Sequence, residues 1–583
     1  MGKNINPHPL EKKLREEVDR EALSTHVFVI SAIGEKIAGS AEEEKACAYI
    51  VETLREARVP VYVHTFEGYV NYPLRAELVV TFPEPITVEA LGTAFGVSTP
   101  PGGFSGRVIY VGDSTAADYV GKDVTGTIVL TERLPNPARA CEAVKHGAAG
   151  MVCISRRNAK QKMVVTPIWG TPGIDDLSEI PRIPVLTVGQ DDGRKLAAMA
   201  KSGQLRITMH TENWEGWRTL RLPVAEIPGK NPEFLLVGGH YCTWFDGATD
   251  NVTGTSCIME LAKVLARHAG DLAYGVRLAW WPGHSQARYA GSTWFADTFW
   301  QELNDTCLGY LNIDSPGVRG ASVWRIRDQG AELAALTQQC LEEIPAWNGT
   351  PVTIALDDPP LRQRPKRNSD QAFLGIGLTS LGAYDMLPDD HPDRNPDVSG
   401  TAGAWWWHSA DETADKFDPE VLRADTCFFL TLILRLMTAP GAAYDFSAVA
   451  ADYLMVLEDY RAAAKGRLCF KNVMENCLRL QILARAFTER PCSDSAAEKE
   501  KLRVSLQLAR ILNPVFFTAT DRFAHHQSVE APPIPILSRC RALGVMDSEA
   551  WESKFLETTL RRALTKVNAT FLEAARLLET ALG

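Results

Sequence analysis

The chain has 583 residues, several times the ~100–200 residues of a typical domain, so we expect about two to four domains. Hydrophobic residues make up 45% and charged residues 23% of the sequence, a composition typical of folded proteins and not of disordered ones. The net charge of −11 argues against general binding to nucleic acid or to an anionic membrane, so we expect neither as a partner.

The cysteines and the apolar segments indicate the compartment. The 12 cysteines stand singly, with no CxxC pair, which favours reduced thiols in the cytoplasm over a disulfide framework. The longest apolar run, around 427–437, contains Arg435 and is shorter than the ~20 residues of a membrane span. Residues 1–19 are charged and lack the apolar core of a signal peptide. We therefore predict a cytoplasmic protein.

The first segment, 10–66, has the pattern of helices followed by a strand. Ser40 precedes three glutamates and then apolar residues at helical spacing, which predicts a helix that begins at Ser40. Residues 59–66 alternate between apolar and polar, as a strand does. This layout is common at the front of an α/β domain, and we assign 1–71 to its first part.

From about residue 72 to 215 the chain has the pattern of a small β-rich insert. Short β-branched runs at 107–111 and 126–130 are separated by Gly, Pro and Asp, with one amphipathic helix predicted over 138–146. Few side chains here suit catalysis, so the insert is interpreted as a structural unit and not as an independent active site.

Residues 216–438 alternate between strand and helix patterns. The predicted elements are strands at 234–239, 276–281 and 308–313 and helices at 254–267 and 289–303. This order predicts an α/β fold with a mostly parallel sheet covered by helices. In such sheets ligands bind beyond the carboxyl ends of the strands.

The last segment, 439–583, is helix-patterned throughout, with helices predicted at 449–463, 472–487 and 548–582. It contains no cluster of potential metal ligands. We interpret it as a helical bundle used for packing or dimerisation.

Four residues that can bind a metal stand at predicted strand or loop ends in the α/β segment: His240, Asp250, Asp314 and His408. Each residue alone is readily explained as a structural cap. Together, imidazole and carboxylate ligands suit Zn²⁺, or Mn²⁺ and Fe²⁺ where oxygen donors dominate. The alternative is a relic site whose side chains only hydrogen-bond within their loops.

The order of these four residues resembles the M28 family of zinc peptidases, and more closely the group of glutamate carboxypeptidase II and the transferrin receptors. The motifs that carry the resemblance are Gly238–Tyr241, Gly247–Gly254 and His408–Asp418 at the metal positions, Asn368–Asp370 on the substrate side, Gly121–Leu130 and Ala143–Gly150 in the insert, and Leu512–Phe523 near the end. The resemblance covers nearly the full length. It implies a zinc-peptidase-like domain, a protease-associated (PA) domain at 72–215 and a helical dimerisation domain at 439–583, hence a homodimer.

The sequence departs from this family where the family has its catalytic glutamates. A general-base glutamate and a metal-binding glutamate are replaced by His284 and Ser285, and an aspartate two residues after the first histidine is replaced by Cys242. The resemblance implies one ion held by His240, Asp250 and Asp314. The second position would keep only Asp250 and His408, so we expect one strong site and one weak or empty site.

The replacements leave two roles open for His284. A neutral imidazole can accept a proton from a bound water, so His284 can act as the catalytic base, or it can bind the metal itself. Cys242 is either a soft ligand or a small buried apolar residue.

Substrate-binding residues are predicted next to the metal positions. Arg364 and Arg367 belong to a basic run that is either a solvated face or a site for a substrate carboxylate. Ser369 and Asp370 follow directly and are assigned to the same side. Three tryptophans, at 405–407, are expected to pack in the core or to line the pocket.

Two functions remain open. The first is a metal-dependent hydrolase of an amide or peptide-like bond with a non-standard M28 active site, acting on a small molecule or a peptide. The second is a non-catalytic protein that uses the peptidase scaffold to bind a partner.

Overall fold

The computed structural model describes residues 5–326, 329–343, 353–355, 369–525 and 531–583. The strands are β1 Val61–Phe82, β2 Ile86–Gly92, β3 Phe104–Tyr110, β4 Ile128–Thr131, β5 Gly150–Ile154, β6 Val185–Val188, β7 Arg206–Ile227, β8 Phe234–His240, β9 Gly275–Trp281, β10 Cys307–Asn312, β11 Val323–Ile326, β12 Thr353–Ala355, β13 Ser380–Leu381 and β14 Ala383–Met386.

The helices alternate with these strands, and after β14 the described chain contains helices but no further strand. They are α1 Glu11–Glu16, α2 Arg20–Ser31, α3 Ala41–Glu56, α4 Pro137–Lys145, α5 Gln190–Lys201, α6 Thr253–Arg267, α7 Ala290–Thr298, α8 Trp300–Thr306, α9 Ala334–Glu342, α10 Pro419–Thr438, α11 Pro440–Ala443, α12 Phe446–Ala463, α13 Lys471–Glu489, α14 Ser495–Phe517, α15 Cys540–Leu543 and α16 Trp551–Leu582.

Most of the predicted elements form close to their predicted positions, for local reasons. The Ser40 side chain accepts a hydrogen bond from the Glu43 amide, which caps α3 as the sequence indicates. The helix predicted over 289–303 is instead two helices, because the backbone leaves helical geometry at Phe299, with φ −108° and ψ 19°.

One large sheet runs through the molecule in the order β1-β2-β6-β5-β4-β3-β7-β9-β8-β10-β13. Strands β9, β8, β10 and β13 are mutually parallel, and β7 joins them antiparallel. This is a mixed α/β fold with a large central sheet. The parallel strands are buried apolar runs, as expected for a sheet with both faces covered.

The insert is continuous with this sheet through a long two-stranded ribbon. Strands β1 and β7 pair antiparallel from Val61 opposite Ala225 to Phe82 opposite Arg206. A separate apolar cluster, whose members all lie between residues 76 and 209, fills the far end of the ribbon. A second cluster joins insert residues to Trp244, so the insert packs against the loops that follow β8.

The C-terminal helices share one apolar core with the α/β segment. The Arg510 guanidinium donates to the carbonyls of Leu303 and Cys307, and the Asn513 amide donates to Glu332. Among the described residues, no single helix is long and apolar enough to cross a membrane. One pair, Pro419–Thr438 with Pro440–Ala463, meets the length and composition limits only as a segment bent by 103°.

Candidate metal centre

Three of the predicted ligands meet at one edge of the parallel strands. His240 ends β8, and Asp314 follows the end of β10, which pairs with β8 through Asn312 opposite Gly238. Asp250 lies in the loop between β8 and α6. Because the carboxyl ends of parallel neighbours share an edge, all three side chains reach the same point.

The donor atoms of these three residues face one another. His240 Nε2 lies 3.0 Å from Asp250 Oδ1 and 3.6 Å from Asp314 Oδ1. One donor atom from each residue falls within 4.8 Å of the others. His240 Nε2 is buried and has no hydrogen-bond partner in the described part of the chain.

A backbone carbonyl fixes the orientation of His240. Its Nδ1–H donates to the Cys242 carbonyl at 2.9 Å, which leaves the lone pair on Nε2 facing the two aspartates. The backbone at Cys242 thus takes the orienting part that an aspartate would play there. The Cys242 thiol accepts the His284 amide at 3.1 Å and is not a member of the converging donor group.

Asn251 ties together the loops that carry the donors. Its Nδ2 donates to the carbonyls of His240 and Ile313, at 3.2 and 3.0 Å, and its Oδ1 accepts the Ser315 amide at 2.9 Å. Space for this side chain requires Gly254, since a Cβ there would lie 2.0 Å from Asn251 Oδ1. Asn251 is a positioning residue that the sequence analysis missed.

Asp314 is held by hydroxyl groups. Ser369 Oγ donates to Asp314 Oδ2 at 2.6 Å, and Ser315 Oγ donates to Oδ1 at 3.1 Å. Ser369 in turn accepts the side-chain amide of Asn312 at 2.9 Å. Ser369, assigned to the substrate side, lines the cleft and also orients a donor carboxylate.

His408 approaches Asp250 from the other side. Its Nε2 lies 2.9 Å from Asp250 Oδ2, and its Nδ1–H donates to the Lys162 carbonyl of the insert at 2.8 Å. The Trp407 indole donates to the same Asp250 Oδ2 at 2.8 Å, and its ring stacks on His408 with centroids 3.8 Å apart. The second oxygen of Asp250 is therefore already engaged by an N–H group.

His284 forms a histidine–aspartate pair beside the donor cluster. Its Nδ1–H donates to Asp370 Oδ2 at 2.9 Å, and Asp370 Oδ1 accepts the Ser292 hydroxyl at 2.7 Å. The His284 ring stacks on His240 with centroids 3.9 Å apart. Burial, and next the nearby His240, lower the pKa of His284, so its imidazole is neutral at pH 7.

Asp370, which was predicted to bind substrate, is not among the residues that line the cleft. Its side chain is fully buried, with 0% exposure, and both oxygens are engaged by His284 and Ser292. In that position the carboxylate orients the His284 imidazole. Arg364 and Arg367 lie outside the described residues.

The histidines keep the two donor carboxyl groups ionised. Burial opposes ionisation of Asp250 and Asp314, but the charge of His240, and for Asp250 also the charge of His408, lowers the pKa of both. Burial likewise opposes protonation of His240, yet the two aspartates raise its pKa well above its usual value. Such a charge pattern suits a cation, which takes the place of the proton on the imidazole.

The donor set fits a divalent ion. Two ligands bound tetrahedrally at about 2.0–2.1 Å are roughly 3.3 Å apart, and the two His240 distances, 3.0 and 3.6 Å, lie on either side of that value. The unpartnered Nε2 supplies the nitrogen donor, and the aspartates supply two anionic oxygens.

The donors open into a cleft of about 260 Å³. His284, Ser285, Arg288 and Tyr289 line one side of it, and Met163 with the neighbouring insert residues lines another. Trp407 lines the cleft, whereas Trp406 is buried, so the tryptophan run divides between the two predicted roles.

The structure is an α/β protein in which three potential metal ligands converge in a cleft at the strand ends. Residues 224–432 match the model of peptidase family M28, which supports that peptidase family for this part of the chain. An aminopeptidase of Pseudomonas aeruginosa is 25% identical over 301 residues, which cover 49% of this chain and 54% of the relative. Leucine aminopeptidase 2 of Trichophyton rubrum is 29% identical over 208 residues, which cover 35% and 39%.

The chain thus spans about half of the length, or less, of these curated relatives. Among solved structures, a zinc aminopeptidase from Bacillus subtilis aligns over 71% of this chain and 94% of its own, with 19% identity and a TM-score of 0.54. A peptidase M28 precursor from Shewanella amazonensis aligns over 73% and 96%, with 16% identity and a TM-score of 0.56. At these identities the likeness shows the fold.

Proposed function

We propose that this protein is a metal-dependent hydrolase of peptide-like amide bonds, with a zinc ion as its cofactor. The observation that carries the proposal is the convergence of His240 Nε2, Asp250 and Asp314, with Nε2 buried and unpartnered among the described residues. The M28 match over 224–432 supports the same chemistry. A bound zinc ion supplies Lewis-acid polarisation of a carbonyl and acidification of water.

We propose His284 as the proton acceptor of the reaction. Its Nδ1–H is committed to Asp370 at 2.9 Å, so the lone pair of the neutral ring is on Nε2, and the ring lines the cleft. Asp370 stabilises the imidazolium that forms when His284 takes a proton from water. His284 thereby replaces the missing glutamate as base, with Asp370 as its positioning residue. Passing the proton to the leaving amine returns His284 to its starting state.

The second metal position is weak in this proposal. Ser285 offers only a neutral hydroxyl, and Asp250 Oδ2 already accepts the Trp407 indole N–H at 2.8 Å. An ion at this position would have to displace the hydrogen bond between Trp407 and Asp250, and it would gain only the His408 imidazole as a further ligand. We therefore propose one tightly bound ion per chain.

The experiment is metal analysis with a matched pair of variants. The protein is stripped with a chelator, reloaded with zinc and analysed by mass spectrometry of the metal. We expect about one ion per chain, lost in Asp250→Ala and retained in Asp411→Ala, which changes an exposed aspartate three residues after His408. Protein that stays metal-free after reloading would instead favour a non-catalytic scaffold.

The finer assignment extends this proposal to the whole chain. We propose that it belongs with the glutamate carboxypeptidase II and transferrin receptor group, with 72–215 as the protease-associated domain and 439–583 as the dimerisation domain. The order of an inserted β-rich segment, an α/β segment and a helical end supports this proposal. Sedimentation of the purified protein tests the dimer.

A further inference from the structure

Arg288 occupies an unusual position in the wall of the cleft. Arg288 and Tyr289 are consecutive non-glycine residues with left-handed backbone, at φ 48° and 66°. The Arg288 carbonyl accepts the Gly170 amide at 2.6 Å, and Trp169 stacks on Tyr289 with centroids 4.1 Å apart. Backbone conformations of this kind cost free energy and persist where the surroundings impose them, often at ligand sites.

The Arg288 guanidinium has no acidic partner among the described residues. Its Nη1 donates to the Tyr289 hydroxyl at 3.0 Å, and its carbon lies 4.5 Å from the centre of the Tyr289 ring. Its Nε is buried and has no hydrogen-bond partner within the described ranges. By contrast, Arg133 in the insert pairs with Asp113 and Asp397. A partly buried guanidinium with spare donors is satisfied best by a planar carboxylate.

The distance from Arg288 to the reacting centre limits what can bind. The Tyr289 ring packs edge-on against His284 with centroids 4.7 Å apart, so the guanidinium carbon lies within about 9 Å of the His284 ring centre. One residue spans at most about 3.6 Å, and a base lies roughly 3 Å from the atom it deprotonates. A carboxylate one residue from the scissile carbonyl can therefore reach the guanidinium.

Arg288 is the residue of the cleft that we consider for binding a substrate carboxylate. Of the carboxyl groups that line the cleft, Asp250 and Asp314 are matched by His240, by His408 and by the proposed ion, and burial raises the pKa of the third, Asp385, to about 7. We propose that Arg288 binds a free substrate carboxylate on the leaving-group side. The substrate class is then dipeptides or N-acylamino acids, and not long or C-terminally blocked peptides. This inference rests on the proposed hydrolase function.

The test compares a free acid with its amide. Turnover of alanyl-leucine and of alanyl-leucine amide is followed by release of alanine from zinc-loaded protein. We expect kcat/KM to be about 10- to 100-fold higher for the free acid, as for a lost hydrogen bond to a charged group. Arg288→Met should abolish that preference by slowing the acid alone, and Arg288→Lys should keep part of it. Arg319→Met, at an exposed arginine, should change nothing.

Two results would overturn the inference. One is equal turnover of acid and amide by the wild type. The other is an equal loss for both substrates in Arg288→Met, which would assign Arg288 to transition-state stabilisation or to folding. Absence of turnover with every peptide would contradict the hydrolase function. In that case, calorimetric measurement of dipeptide binding tests whether Arg288 binds the carboxylate. The free dipeptide should bind about tenfold or more tightly than its amide, and equal or absent binding would reject the inference.

Discussion

The substitution Asp370→Asn tests the histidine–aspartate pair through a change in the position of one proton. Asp370 Oδ1 accepts the Ser292 hydroxyl at 2.7 Å, and Oδ2 accepts the His284 Nδ1–H at 2.9 Å. In the variant, the amide oxygen is held by Ser292, so the amide NH₂ faces Nδ1. The neutral imidazole must then carry its proton on Nε2, where it cannot accept one from water.

The size of the effect follows from the loss of general-base catalysis, which contributes about 10²- to 10⁴-fold to a rate. We expect kcat to fall by that factor, equivalent to roughly 3–5 kcal/mol in the activation free energy. His284→Ala should lower kcat by about the same factor. The double variant with Asp370→Asn should have nearly the same kcat as either single variant, because both substitutions remove the same general base.

Ser292→Ala supplies the matched control. Alone it leaves the bond between Asp370 and His284 in place, so kcat should change only slightly. Combined with Asp370→Asn it releases the amide to rotate and present its oxygen to His284, so part of the activity should return. The assay is peptide turnover by zinc-loaded protein, with metal content measured for each variant. If Asp370→Asn keeps both its zinc and its wild-type turnover, His284 is not the base.

Three further predictions concern the surroundings of the centre and the stability of the fold. Trp407→Phe frees Asp250 Oδ2 from the indole N–H, so a second zinc ion should bind about tenfold more tightly in a titration; unchanged affinity would show that the indole does not compete. Asn251→Ala removes three hydrogen bonds that join the donor loops, so zinc affinity measured by chelator competition should fall about 10- to 100-fold. Burial lowers the pKa of His26 to about 4, so the stability it contributes above pH 6.5 is lost as the pH falls towards 4. His26→Phe should remove about 3 kcal/mol of that pH dependence from the free energy of unfolding, and an unaltered pH dependence would contradict this.

The sequence predicts the parts of the centre that depend on strand ends. His240 and Asp314 follow apolar runs, and parallel pairing brings the ends of such runs together whatever the loops do. Asp250 was found because its loop opens a helix. Three helices of the last segment, α12, α13 and α16, likewise follow from their apolar spacing, whereas α14 was not predicted.

The rest depends on contacts between distant loops, which spacing along the chain does not encode. His284 and Asp370 are 86 positions apart and meet only because α7 and the loop at 369–371 pack together. Asp370 was predicted to bind substrate because Asn368–Asp370 resembles the substrate-side loop of the family, and the sequence does not show its contact with His284. His408 is oriented by the backbone carbonyl of Lys162, which belongs to the insert. A backbone acceptor has no side-chain motif from which it could be predicted.

The most direct test of the account is the position of the ion itself. Crystals grown with zinc and measured at the zinc absorption edge would locate it by anomalous scattering. The account predicts one strong peak at about 2.0–2.2 Å from His240 Nε2 and from one oxygen each of Asp250 and Asp314. A peak held by other residues, or no peak at this cluster in millimolar zinc, would contradict it.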